Sequence, residues 1–567
     1  MADDGVPLGY RAGSAKRAFG DAARLGLILA VASDHRALSN GGHRDPTPSA
    51  MPADPKIPDC NPSLSPRRAR LLMIQGTSAD VGKSLLVAGL CRAYTRRGLV
   101  VRPFKAQNMS NNAAVTVDGD GAPGPDGNAH RGEIGRAQAL QARACRAPCS
   151  VHMNPVLLKP QSDLDSQVVL RGRALGTFSA STYQALKPTL MPQVLESLAR
   201  LAAEADLILV EGAGSGAERY LRAQDITNMG LAEAADLPVV LLGDDSRGGV
   251  TAAVLGSHAL WSPSERARVA GVLVNKFRGD PAVFAPACDD MTVATGWPCL
   301  GLVGWFAGAQ GLPPEDSLAL DKPTTDGGAG LIVAVPRLPR IANFDDLAPL
   351  AAEPGIALRW VPSGQPLPRE ADLVLLPGSK STRADLARLR AEGWDRDIHC
   401  HLRQGGRVVG LCAGFQMLGR TIRDPLGIEG APGETPGLGL LDIETEIVAE
   451  KRLVELDAVD RRSGQRVSGY EMHMGRTRGA GLERPWLLLD EGGAVRPEGA
   501  VSPDGRVMGA YVHGLFGADG FRHHWLAGLG HAGRLADHEG RIDATLDALA
   551  EQLESDIDLD RLLALAR

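Results

Sequence analysis

Short, continuous apolar runs that end in glycine-bearing turns recur along this chain, and they limit what it can fold into. Leu71-Leu72-Met73-Ile74 leads to Gly76, and Leu207-Ile208-Leu209-Val210 to Glu211-Gly212-Ala213-Gly214. Val239-Val240-Leu241-Leu242 leads to Gly243-Asp244-Asp245, and residues 269–274 lead to Asn275-Lys276-Phe277. The pattern returns at 331–335, at 373–376 before Pro377-Gly378-Ser379, and at Val408-Val409 before Gly410-Leu411-Cys412. A strand apolar throughout is covered on both faces, whereas a strand with one wet face alternates. Residues 84–97 place Leu85, Leu86, Ala88, Leu90 and Tyr94 at helical spacing, so helices supply the cover. The expected fold class is α/β: two doubly wound, mostly parallel-sheet domains. Ligands of such sheets bind beyond the carboxyl ends of the strands, where these turns lie.

At 567 residues the chain is long enough for several domains. Its net charge of −6 is too small and too mixed to point to nucleic acid, and aromatics at 4% argue against stacking platforms for single strands. Eight scattered cysteines do not make a disulfide scaffold and fit a reducing compartment. No apolar run reaches the roughly 18 residues needed to span a bilayer. The nearest, residues 25–32, sits behind Asp21 and Arg24, and Asp3 and Asp4 spoil a signal peptide. The expected setting is cytoplasmic, with no membrane or nucleic-acid partner. Residues 39–67 are dense in Asn, Gly, Pro, Asp and Ser. The expected organisation is therefore a disordered extension over 1–66, a nucleotide-binding domain over 67–307 and a linker over 308–329. A second α/β domain over 330–535 and a helical segment over 536–567 follow. Met51 is an alternative start.

Gly76-Thr77-Ser78-Ala79-Asp80-Val81-Gly82-Lys83-Ser84 follows a strand and opens a helix. Backbone N–H groups of such a loop cradle phosphates, with Lys83 reaching the β/γ oxygens and Ser84 the magnesium. Five residues rather than four separate its glycines. Glu211, at a strand end, would complete an oxygen-ligand metal site with Ser84.

The second loaded turn is Gly410-Leu411-Cys412-Ala413-Gly414, between an apolar strand and a helical pattern at Phe415, Met417 and Leu418. Small neighbours permit a strained strand-to-helix elbow, and the helix N-terminus favours the thiolate. His513, after a strand-like run and before Gly514, is the candidate base. The N–H groups of Ala413 and Gly378 are the candidate oxyanion hole.

These motifs carry resemblances. The five-residue loop resembles the dethiobiotin synthetase-like P-loop enzymes, which activate carboxyl or carbamate groups. That likeness makes Glu211 the acid near magnesium, Lys105 a second phosphate-facing lysine and Asn275 a contact to the adenine edge. The cysteine elbow resembles class I glutamine amidotransferases, in which a cysteine releases ammonia from glutamine. Most of those have an acid two residues after the histidine; here that position is Leu515, a gap shared with the cobalamin-pathway branch. The sequence assigns no group to orient His513.

An ATP site and an ammonia source in one chain imply ATP-dependent amide formation. Residues 105–112 (Lys-Ala-Gln-Asn-Met-Ser-Asn-Asn), 133–138, 154–160, 312–317, 338–344 (Leu-Pro-Arg-Ile-Ala-Asn-Phe) and 469–475 resemble the cobyric acid synthase family, in the family's order. The resemblance implies amidation of the b, d, e and g carboxylates of adenosylcobyrinic acid a,c-diamide. The substrates would be the corrinoid, glutamine and ATP; the cofactors would be ATP and Mg2+, with none tightly bound. It places Gln107, Asn108, Asn111 and Asn112 at the corrin's amides and carboxylates. A homo-oligomer is compatible with this reading. Residues 216–220, 244–247 and Ala413 depart from the family pattern. Glu471 and His473 alternate on a strand and either face the glutaminase pocket or simply pack in a sheet. The rival readings are an a,c-diamide synthase, or a P-loop regulatory ATPase with an inert glutaminase-like domain.

Overall fold

A computed structural model of the chain describes residues 69–120, 131–315, 330–531 and 536–567. The extension expected over 1–66, Met51, and the linker beyond residue 315 lie outside the described residues. The first apolar runs form one six-stranded, all-parallel sheet. Its strands are β1 (Arg70–Gly76), β2 (Val101–Phe104), β3 (Leu207–Glu211), β4 (Val239–Asp244), β5 (Val269–Phe277) and β6 (Cys299–Gly304), in the order β6-β5-β4-β1-β3-β2. Leu72, Met73, Ile74, Leu209, Val210, Leu241 and Leu242 have no measurable exposure, as strands covered on both faces require. β1 lies between β3 and β4, so the chain winds to either side of it. Its carboxyl end is thus a crevice at which ligands bind.

The second sheet holds β7 (Leu331–Pro336), β8 (Ile356–Val361), β9 (Leu373–Leu376), β10 (Arg407–Leu411), β11 (Ala500–Val501) and β12 (Val507–Ala510), in the order β8-β7-β9-β10-β12-β11. Only β11 is antiparallel in it. A long hairpin, Glu444–Asp460 with Arg466–Arg478, reaches toward the first unit. Its Met472 packs with Ala113, Val115, Leu157 and Val169 of that unit.

Two segments join the first unit from outside its expected bounds. The expected linker begins too early at 308: Leu312 is buried in the first unit's core, and Glu315 reaches a side chain beyond β2. The C-terminal helices also return to it. These are α3 (His538–Asp556) and α4 (Leu559–Ala564), with α1 (Lys83–Arg96) after β1 and α2 (Ala413–Leu418) after β10. Leu546, Leu549 and Leu553 are buried on α3, and a Cβ on Gly89 of α1 would lie 2.5 Å from Leu553 Cδ1. Glycine there lets the two helices approach closely. Tyr94 donates to Leu559 O at 2.8 Å, and Leu71 N donates to Arg567 O at 2.7 Å. Leu553→Ala is therefore expected to destabilise the first unit by about 2–5 kcal/mol, with Leu260→Ala on the surface as the neutral control. A lower urea midpoint at unchanged slope is the readout.

Candidate active sites

The loop from Gly76 to Ser84 turns at the carboxyl end of β1. Gly82 is left-handed at φ 91°, and a Cβ there would stand 2.5 Å from Asn275 Nδ2. Asn275 Nδ2 donates to Val81 O at 2.7 Å, so it holds the loop from the end of β5. Thr77 N donates to Leu242 O at 3.0 Å. Lys83 Nζ lies back along the loop and donates to Ser78 O at 2.9 Å, Ala79 O at 3.1 Å and Gly214 O at 2.8 Å. Burial lowers its pKa to about 8, against the opposing pull of Glu211.

Glu211 is the centre of this site. Its Oε1 accepts from Ser84 Oγ at 2.7 Å and from Lys105 Nζ at 2.7 Å, and its Oε2 accepts from Gln141 Nε2 at 2.6 Å. Burial opposes ionisation of this carboxyl, yet Lys105 and the hydrogen bonds hold its pKa below the ordinary value. Burial likewise opposes the Lys105 charge, but Glu211 and Glu315 raise it above the usual lysine range. The Lys105–Glu315 distance is 3.3 Å. Two hard oxygen donors, Ser84 and Glu211, converge where the Lys105 cation already compensates the carboxylate, a donor set that fits magnesium.

The second constellation surrounds Cys412, which joins β10 to α2 at φ 51°, ψ −107°. That positive φ on a residue with a Cβ is strain held by its surroundings. Both neighbouring glycines are sterically required: a Cβ on Gly414 would lie 2.1 Å from Leu376 O, and one on Gly410 2.6 Å from Gly414 C. Cys412 N donates to Ala510 O at 2.8 Å, and Sγ donates to Met472 O at 3.7 Å. Ala413 opens α2, and Gly378, in a two-residue ladder opposite Ala342, lies 3.5 Å from His513 Cε1 measured from its Cβ position.

His513 is buried, and its Nδ1 is 2.6 Å from Asp346 Oδ2. Asp346 Oδ1 accepts from Gly514 N at 2.8 Å, which fixes the carboxylate's orientation. Tyr470 stacks on the imidazole with centroids 5.1 Å apart. Burial alone would lower the His513 pKa; Asp346 and then Cys412 raise it to about 10. Asp346 is the orienting acid that the sequence left unassigned. It stands 167 residues before His513, so spacing offers no link between them, although it lies two residues after the 338–344 segment. Glu315 had only its place in the 312–317 segment as a signal, and Gln141 had none. Glu471 and His473 lie on the long hairpin: Glu471 pairs with Arg452 and Arg496, and His473 stacks on Tyr511 at 3.7 Å and lies near enough to His513 to feel its charge. Burial lowers the His473 pKa to about 4.

The Asn-rich segment lies between the two constellations. Gln107 Oε1 accepts from Tyr183 at 2.6 Å, Asn108 Nδ2 donates to Gln138 at 3.0 Å, and Asn111 Nδ2 donates to Pro160 O at 3.2 Å. Asn112 Oδ1 accepts from Phe344 N at 3.0 Å, across to the second unit. Beside it, Ala113 N donates to Asn343 Oδ1 at 3.2 Å. Asn108 and Asn112 are thus turned inward to bonds within the protein. In the run His399-Cys400-His401, His401 Nε2 lies 3.0 Å from Arg407 O.

A family model described as a CobQ/CobB/MinD/ParA nucleotide binding domain matches residues 72–312. One described as a CobB/CobQ-like glutamine amidotransferase domain matches residues 332–521. The chain is 57% identical over 496 residues to a cobyric acid synthase of Paracoccus denitrificans (strain Pd 1222), covering 88% of this chain and 99% of that one. It is 54% identical over 503 residues to a cobyric acid synthase of Caulobacter sp. (strain K31), covering 87% and 99%. It is 57% identical over 500 residues to one of Methylorubrum populi, covering 88% and 99%.

Proposed function

The chain belongs to the cobyric acid synthase family, and from that premise we propose that it amidates the b, d, e and g carboxylates of adenosylcobyrinic acid a,c-diamide, using ATP and ammonia drawn from glutamine. The observation that carries this reading is the pairing, in one chain, of a phosphate loop backed by Ser84, Glu211 and Lys105 with a Cys412–His513–Asp346 triad.

At the triad, His513 Nε2 takes the thiol proton and the Cys412 thiolate attacks the side-chain carbonyl carbon of glutamine. The oxyanion that forms is met by the N–H groups of Ala413 and Gly378. Imidazolium returns its proton to the departing nitrogen, so ammonia leaves and a γ-glutamyl thioester remains. Water, deprotonated by His513, attacks the thioester; glutamate leaves and the thiol is restored. At the phosphate loop a corrinoid carboxylate oxygen attacks the γ-phosphorus, ADP departs and an acyl phosphate forms. Ammonia adds to that carbonyl, phosphate leaves, and the surplus proton goes to solvent. Lys83 and Lys105 neutralise phosphate oxygens, and the acyl phosphate must meet ammonia before water hydrolyses it. Ser84 and Glu211 would hold Mg2+, which supplies further neutralisation of phosphate charge.

Mass spectrometry of the product tests the reading. Each acid-to-amide change removes about 1 Da, so complete turnover of the a,c-diamide is expected to show about 4 Da lost. A product stopping at two amides made from cobyrinic acid itself would point instead to an a,c-diamide synthase. A chain that hydrolyses ATP but releases no glutamate would be the regulatory ATPase.

Gly82→Ala gives a cheaper check on the phosphate loop. The new Cβ meets Asn275 and occupies a left-handed backbone, so ATP affinity measured by calorimetry is expected to fall about tenfold, or about 1.4 kcal/mol. Glutamate release from glutamine persists in that variant.

A further inference from the structure

We propose that Asn343 is a positioning residue that restrains the glutaminase triad, and that the Asn-rich segment of the nucleotide-binding unit sets its orientation. This rests on the glutaminase reading of Cys412 and His513 and adds to it the device that ties ammonia release to the other site.

Asn343 Nδ2 lies 3.3 Å from His513 Nε2. The direction of that amide is set from the other unit: Ala113 N–H points at Asn343 Oδ1 from 3.2 Å, and a backbone N–H can only donate. With the oxygen committed there, the NH2 group is left facing Nε2. In the thiol–imidazole form Asp346 holds the proton on Nδ1, so Nε2 presents its lone pair toward Asn343 and Cys412. This is the lone pair that must take the Cys412 proton. Cys412 shares this side of the ring, its thiol in contact with His513 and 3.7 Å from Met472 O. An amide donor on Nε2 favours neutral imidazole and so acts against Asp346 and Cys412, which favour the imidazolium.

Asn343 is also built to stay put. It is 4% exposed and left-handed at φ 50°, a conformation in which Asn is among the few tolerated residues with a side chain. The next residue, Phe344, donates its N–H to Asn112 Oδ1 at 3.0 Å. Asn112 Nδ2 in turn reaches Pro314 O at 3.5 Å, and Ser110 Oγ donates to Glu315 O at 3.3 Å. Glu315 is one of the two carboxylates on Lys105. A chain of contacts therefore runs from Glu211 and Lys105, through Glu315 and the 110–113 segment, to the base of the triad. A phosphate at Lys105 competes with Glu315 for the ammonium, and a corrinoid carboxylate competes for the Asn-rich segment. Either one favours a state in which Ala113 no longer holds Asn343 against His513, because its affinity for that state is higher.

Asn343→Gly is the sharpest variant, since glycine keeps the left-handed backbone while removing the side chain that carries the amide. In the full chain without ATP or corrinoid, glutamate release is expected to rise about fivefold in kcat with the KM for glutamine unchanged. Amidation driven by ammonium chloride stays at the wild-type rate. The wild type supplies a second readout that needs no substitution: carbamidomethylation of Cys412 by iodoacetamide, mapped by mass spectrometry. Adding ATP, magnesium and the a,c-diamide is expected to accelerate it about fivefold, and Asn343→Gly reacts at that higher rate without them. The proposal is overturned if the variant's kcat is unchanged or lower, or if the wild-type alkylation rate ignores the synthase ligands. Glutamate release that survives Cys412→Ala would overturn the glutaminase reading instead, a distinct outcome.

Discussion

Cys412→Ala is expected to release no glutamate from glutamine and yet to amidate the a,c-diamide from ammonium chloride at close to the wild-type rate. The substitution deletes one sulfur and keeps the Cβ, so the strained elbow at φ 51° faces the same backbone demand as before. What disappears is the only atom in that turn able to form the thioester. Removing the nucleophile of a triad costs about 10⁶ in kcat where it has been measured, and the oxyanion hole leaves little of the reaction behind. Ammonia is expected to bypass the loss because the proposed site of acyl phosphate formation lies at the end of β1, on a different sheet, among Lys83, Ser84, Lys105 and Glu211. Glutamate release would be followed by a coupled dehydrogenase assay, and amide formation by mass spectrometry in the same tubes. If ammonium chloride fails as well, the division of work between the two units is wrong.

That division was readable from the sequence because each unit advertises itself locally. A fully apolar strand followed by Gly82-Lys83-Ser84, or by Gly410-Leu411-Cys412-Ala413-Gly414, needs no distant residue to be interpreted: the turn must sit at a strand's carboxyl end and face solvent or ligand. His513 was reachable for the same reason, as the residue closing a strand. Groups that act only through long-range proximity were not readable. Asp346, Glu315 and Gln141 are an acid after Phe344, an acid after two prolines and a glutamine within a helix, and each could equally be solvated. Their roles arise when the sheets bring together residues 167, 210 and 70 positions apart. The return of α3 and α4 to α1 was hidden likewise. Amphipathic helices at the end of a chain state that they have a partner but not which one. Only Gly89 hints at it, as a gap in the helix surface that Leu549 and Leu553 fill.

Asp346→Asn is the substitution on which the triad geometry turns, and it is expected to lower glutamine-dependent turnover by about 10⁴ with ammonia-dependent turnover intact. Gly514 N–H already donates to one oxygen of residue 346 at 2.8 Å, and in the variant it will capture the amide oxygen. The NH2 group is then forced against His513 Nδ1, which must become an acceptor, and the ring proton moves to Nε2. In that tautomer Nε2 has no lone pair for the Cys412 proton. The pH profile carries an independent sign. Asp346 is the larger of the two influences that raise the His513 pKa to about 10, against burial, which lowers it. The imidazolium that pairs with the thiolate is therefore present below that value and lost as pH rises through about 10, and the stabilisation from the Asp346–His513 pair is lost over the same rise. With asparagine at 346 the largest influence opposing burial is gone, so the pKa falls and the alkaline limb of the residual activity moves toward neutral pH. A variant that retains more than about a tenth of its glutaminase activity, or keeps its alkaline limb in place, would show that Asp346 is packing beside the histidine without orienting it.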